Sequence, residues 1–188
     1  SLSVPDKEEA VKQALENIEN AKEALEIAKT DQYDQYVKLI KDERKLEEDV
    51  EFAEETLGIS EDAFNTAKEK YDAAVAALAA AEATLADLTA NPAADPDAIV
   101  AAQAVVDEKY TALYGVEGDA NKIGARQELY NATNTRDADK EALDNLKKEL
   151  KKAQQASNKG APDTDVIAKQ KALTAAEEAY PERLQELS

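Results

Sequence analysis

A heptad register that starts at Val4 and continues without a slip to Leu88 is what most limits the folds open to this chain. Alternating steps of four and three from Val4 mark 25 positions, and 19 of them are apolar. Random placement at 43% hydrophobic content would fill about 11. A 3.5-residue period sustained over this length marks helices packed along a continuous seam. The expected fold class is all-α: an elongated antiparallel helical bundle or coiled coil of three to five helices, forming a single elongated domain over residues 1–188.

The seam is thin. Of 188 residues 38 are alanine, so almost half of the apolar count brings only a methyl group, and stability has to be spread along helix contacts. In the first helix Lys22, Lys29 and Gln32 fall on seam positions. Ala14, Ala21 and Ala28 form a small-residue stripe beside Leu15, Ile18 and Leu25, so that two neighbouring columns share the burial.

Punctuation divides the chain into helices over about 5–57, 60–90, 96–114, 122–157 and 163–187. Pro5 suits an early helical position, with Asp6, Glu8 and Glu9 at the positive end of the dipole. The first helix, some 53 residues, is roughly 80 Å long at the usual rise. At Leu57–Asp62 the signals conflict. Gly58 before apolar Ile59 reads as a Schellman ending, and Ser60 with Glu61 and Asp62 reads as an N-cap with an acidic first turn, which together favour a hairpin. The unbroken heptad register instead favours one helix.

Two prolines, Pro92 and Pro96, make Asn91–Pro96 the clearest break, with Asp95 as the next cap and Pro96 at the first helical position. The third helix carries Ile99, Ala102, Val106, Tyr110 and Leu113 as its face. It meets a glycine-rich interruption containing Gly115, Gly118 and Gly124. Beyond it the apolar phase shifts to Leu129, Ala132, Leu143, Leu146, Leu150 and Ala153. Ser157–Pro162 ends that helix, and the last uses Val166, Leu173, Tyr180, Leu184 and Leu187, with Pro181 expected to kink or end it.

Composition excludes several function classes. A net charge of −18 argues against nucleic acid or anionic lipid as partners. Cysteine and histidine are absent, which removes thiolate and imidazole metal sites, thiol nucleophiles and histidine triads. No dinucleotide, P-loop, nucleophile-elbow or zinc-protease motif occurs. No cofactor, catalytic residue or metal is therefore expected. Glu117, Asp119 and Asn121 beside Gly118 faintly resemble part of a calcium loop but lack its remaining ligands. Residues 71–90 are half alanine yet are interrupted by Asp72, Glu82 and Asp87, so no membrane insertion is expected. Beginning at Ser1, the chain has the look of one from which targeting signals have been removed.

Seven tyrosines, against two phenylalanines and no tryptophan, need an account. Tyr36, Tyr71 and Tyr180 fall on seams and are expected in the core with the hydroxyl at the surface, whereas Tyr33 lies one residue off the seam. Tyr110, Tyr114 and Tyr130 flank the glycine-rich interruption. Tyrosines around an irregular segment on a rigid scaffold are frequent at recognition surfaces, so Tyr110, Tyr114, Asn121 and Tyr130 are the candidate partner-binding residues.

An Ala/Glu/Lys-rich helical chain free of Cys, Trp, Met and His, with heptads through Tyr36 to Leu88 and Ala-Pro-Asp-like punctuation, resembles the helical regions of cell-wall-anchored surface proteins of Gram-positive bacteria. M-like proteins, pneumococcal surface and choline-binding proteins and helical-bundle adhesins share this look. The resemblance covers the whole chain in composition and period. It implies an extracellular, cell-wall-anchored, non-enzymatic module that binds a host protein, such as an immunoglobulin, a complement regulator or an adhesion receptor. A monomer is expected over a homodimer if the chain folds back through Gly58 and covers its own seam, whereas one helix over 5–90 would call for a second chain. A stalk, S-layer segment or assembly coiled coil without a ligand is the alternative, and a secreted or intracellular effector is a third.

Overall fold

The computed structural model describes residues 3–188, and among these all regular structure is helical. The helices are α1 (Val4–Ala90), α2 (Pro96–Tyr114), α3 (Gly124–Lys159) and α4 (Thr164–Leu187). Ser3 caps α1: its hydroxyl accepts the Asp6 N–H and its carbonyl the Lys7 N–H. Asp95 caps α2 by accepting the Asp97 N–H at 2.9 Å, with Pro96 in the first turn, as the sequence predicts. Pro181 lies inside α4, which runs on to Leu187.

The hairpin expected at Gly58 does not form, and the two helices expected over 5–57 and 60–90 are one. Each capping signal has another role there. Gly58 is not among the positive-φ glycines. Ile59, read as the apolar contact of a helix ending, projects into solvent. Ser60, read as an N-cap, is a buried seam residue whose hydroxyl donates to the Leu57 carbonyl at 3.0 Å. Hydroxyl back-bonding of this kind satisfies a serine inside a helix without ending it.

By its contacts the chain divides into two compact units, residues 1–48 with 148–188, and residues 49–147. In the first, α1 buries Ala14, Leu25 and Ala28. Ala14 is 6% exposed and Leu15 is 44%, so the alanine column faces inward at that height, while Leu25 and Ala28 show both columns buried further along. Ala176 and Ala179 of α4 line the same recess as Ala10 and Ala14, so small side chains stand on both sides of it. The hydroxyl of Ser157, buried on α3, donates to the Glu43 carboxylate on α1.

In the second unit α1 buries Val50, Ser60, Ala67, Leu78 and Ala81, all on the predicted register. Helix α3 runs antiparallel to it, as three contacts show. Lys147 pairs with Glu54 at 3.6 Å, the Arg136 guanidinium lies 3.8 Å from the centroid of the Phe64 ring, and Lys70 pairs with Glu128 at 2.7 Å. Leu143 is buried on α3 and Leu129, Ala132 and Leu146 are half-buried, as expected from the shifted phase. On α2, Tyr110 is exposed and Lys109 takes the inward place assigned to it. Among the described residues no large side chain is fully buried, in keeping with a thin core.

An 18-residue window of α1, which falls in the alanine-rich residues 73–90, reaches a mean hydropathy of 1.4 with no more than two charged residues, so by length and composition this helix is apolar enough to cross a bilayer. Asp72 lies just outside that window. Alanine methyls carry it over the threshold, and Glu82 and Asp87 remain inside, each costing about 2.5–3.5 kcal/mol in the middle of a membrane.

The connection from α2 to α3 is irregular but tightly built. Gly115 donates to the Thr111 carbonyl at 2.7 Å and leaves α2 at φ 77°, ψ −172°, a region essentially reserved for glycine. The Val116 N–H reaches back to the Lys122 carbonyl at 2.8 Å, and the Asp119 side chain accepts the Asn121 N–H at 3.0 Å. The ends of the loop touch: a Cβ on Gly115 would stand 2.4 Å from the Lys122 carbonyl oxygen, and one on Gly124 2.4 Å from the Gly115 nitrogen.

Two results are expected. A Cβ on Gly58 meets nothing within 4 Å, so Gly58→Ala should raise stability by about 0.5–1 kcal/mol in chemical denaturation, whereas a turn at this site would make it lower. Gly115→Ala and Gly124→Ala should each cost about 2–4 kcal/mol, while Gly118→Ala, strained in φ alone, should cost about 1 kcal/mol. Equal losses at all three would mean that the close backbone approach is not maintained in solution.

Candidate functional site

Tyr110 and Tyr114 are four residues apart on α2 and therefore share one side of it. Their ring centroids are 4.6 Å apart with the planes tilted by 44°, a favourable aromatic arrangement. The closed loop brings the start of α3 beside them. Arg126, in the first turn of α3, places its guanidinium 5.8 Å from the Tyr114 centroid, within reach of a cation–π attraction. Tyr130 follows Arg126 by one turn.

These elements enclose an open cleft of about 660 Å³ lined by Tyr114, Val116, Asp119, Ile123, Arg126 and Tyr130, among others. Of the residues singled out by sequence, Tyr114 and Tyr130 line the cleft, and Tyr110 flanks it through its stack on Tyr114. Asn121 does not line it; its backbone N–H is spent on Asp119 in the loop's own turn. All three tyrosines are exposed, Tyr130 most of all at 61%. Arg126 was not anticipated. Its spacing of four from Tyr130 put both on one face of α3, but α3 alone did not reveal that this face meets Tyr114 across the loop.

The calcium-loop resemblance has a simpler account, since Asp119 serves as the acceptor of a turn. Among the described residues no group of three or more acidic, histidine or cysteine side chains is arranged to hold a metal. Buried polar side-chain atoms among the described residues all have hydrogen-bond partners. The cleft thus offers two tyrosine faces, a guanidinium and a carboxylate on a fixed frame, groups suited to holding a complementary surface.

A second cleft, of about 760 Å³, lies in the other unit between Lys29, Tyr33 and Tyr36 on α1 and Lys159, Pro162 and Asp163 around the α3–α4 connection. Tyr36, expected in the core, is exposed here. It faces an extended connecting segment, which supplies no helical side to cover the seam at that point. Tyr71 and Tyr180 are half-buried as their seam positions predict.

No protein family, no curated protein and no solved structure matches the chain.

Proposed function

We propose that the chain is a non-enzymatic module of a bacterial surface protein, an antiparallel helical bundle that binds a host protein through the tyrosine cleft at the α2–α3 loop. One observation carries this reading: Tyr110 and Tyr114 on α2 and Tyr130 on α3 stand exposed together with Arg126 beside a loop whose ends are locked by glycine contacts. Exposed aromatic side chains on a preorganised frame bury area at low entropic cost when a partner docks. The extracellular, cell-wall-anchored location rests on the resemblance in composition and heptad period to Gram-positive surface proteins. A monomer is favoured because most apolar seam residues of α1, though not Val4, Leu15 or Tyr36, are buried or half-buried within the single chain.

The stalk reading is favoured by a different observation, the continuity of α1 through Gly58. A stalk requires length and stiffness and no ligand cleft.

Immobilised chain should be screened by surface plasmon resonance against immunoglobulin, a complement regulator and an adhesion-receptor ectodomain. For the partner that binds, Tyr114→Ala and Tyr130→Ala should each weaken affinity about 30-fold, the size of an aromatic hot spot, with helicity by circular dichroism unchanged. Asn121→Ala should leave it as it was, because the side chain of Asn121 is outside the cleft. No binding to any of the three, or binding indifferent to both tyrosine substitutions, would turn the assignment to a stalk.

A further inference from the structure

Phe52 and Ile59 are the most exposed large apolar side chains among the described residues, at 71% and 72%. They are seven residues apart on α1 and so lie on the same side of the helix, where neither is used in the seam. Phe52 forms one wall of an apolar groove of about 300 Å³, completed by Ala53 and Thr56 on α1 and Asp139, Ala142 and Leu146 on α3. This groove is distinct from the tyrosine cleft and shares no lining residue with it.

The charge around it is predominantly negative, with ten acids against three cations over residues 49–62 and 136–147. Residues 49–62 contain six acids and no lysine or arginine. Glu55 follows Phe52 by three residues and Asp62 follows Ile59 by three, so a carboxylate neighbours each apolar side chain on the helix surface. Of the three cations on the facing stretch of α3, Lys147 is engaged with Glu54 and Arg136 with Phe64 and Asp137, and Lys140 is the third. A second copy of this chain would bring the same acids to the interface, and an anionic surface would be repelled.

We propose that the Phe52–Ile59 face of α1, with the groove beside α3, is a docking surface for a cationic amphipathic helix. Its apolar side chains lie along Phe52, Ile59 and Leu146, and flanking Lys or Arg residues meet Glu55 and Asp62. Apolar contact supplies the holding force and the acids select the partner and speed its arrival. The surface belongs to the chain irrespective of what the tyrosine cleft binds.

The test is fluorescence anisotropy of the full chain with three labelled probes of equal length: an amphipathic Leu/Lys peptide, a Ser/Lys peptide of the same charge and an amphipathic Leu/Glu peptide. The Leu/Lys probe should bind more than about ten-fold tighter than either of the others. The Phe52→Ser/Ile59→Ser double variant, which alters only exposed side chains and leaves net charge at −18, should lose that advantage while its Ser/Lys affinity and circular dichroism stay unchanged. Glu55→Gln/Asp62→Asn should weaken the Leu/Lys probe and steepen no other response. If Leu/Lys and Ser/Lys bind equally, or the double variant binds Leu/Lys as the parent does, attraction reports net charge alone and the docking surface is disproved. Sedimentation of the parent as a dimer that the double variant dissolves would equally overturn it, assigning the face to a second copy.

Discussion

The stripe along α1 is the constraint on which the other elements depend. Most of its inward positions carry alanine or a single leucine or valine, so no local cluster is large enough to hold a unit together by itself. Burial has to accumulate turn by turn, and a helix must lie beside each length of the stripe to provide it. Where the chain offers alanines on both sides, as around the recess lined by Ala14, Ala176 and Ala179, little apolar area is available to bury. Where larger residues such as Leu25, Val50 and Leu78 return, the heptad column returns with them.

Much of this was legible from residue spacing, because a period of 3.5 reports directly which side of a helix is covered. The positions read as inward on the second half of α1 are inward, and so are Leu129, Ala132, Leu143 and Leu146 on α3. Asp95 and Pro96 begin α2 as their chemistry requires. The error at Gly58 came from weighing three local capping signals above a long-range pattern. A cap contributes about 1 kcal/mol, whereas seam positions on both sides of Gly58 each contribute burial, and their sum decides. Tyr36 and Tyr110 were misplaced for another reason: heptad position states which side a residue is on, not whether a neighbouring helix reaches that height.

The candidate cleft was half visible. Clustering of tyrosines around three glycines could be seen, and the glycines turn out to bring the two chain ends of the loop into backbone contact. What could not be seen was Arg126 against Tyr114, since the spacing between them is spent in an irregular loop with no period to project. Irregular segments carry their geometry in individual hydrogen bonds, such as Val116 to Lys122 and Asn121 to Asp119, and single-residue patterns do not encode these.

The Arg136 guanidinium over Phe64 has a consequence for how the helices find their alignment. Repeating apolar seams are nearly degenerate: sliding α3 by one heptad would again set small apolar residues against small apolar residues. Such a slip would carry Arg136 from Phe64 to Leu57 or Tyr71, and at the leucine a partly desolvated cation would have no aromatic face to rest on. It would also separate Lys70 from Glu128, whereas Lys147 would exchange Glu54 for Glu47 or Glu61. Polar groups at single seam positions fix register in this way at some loss of stability. In a chain whose core is mostly methyl groups, contacts that flank the seam, such as Lys70 with Glu128, help to distinguish one alignment from the next.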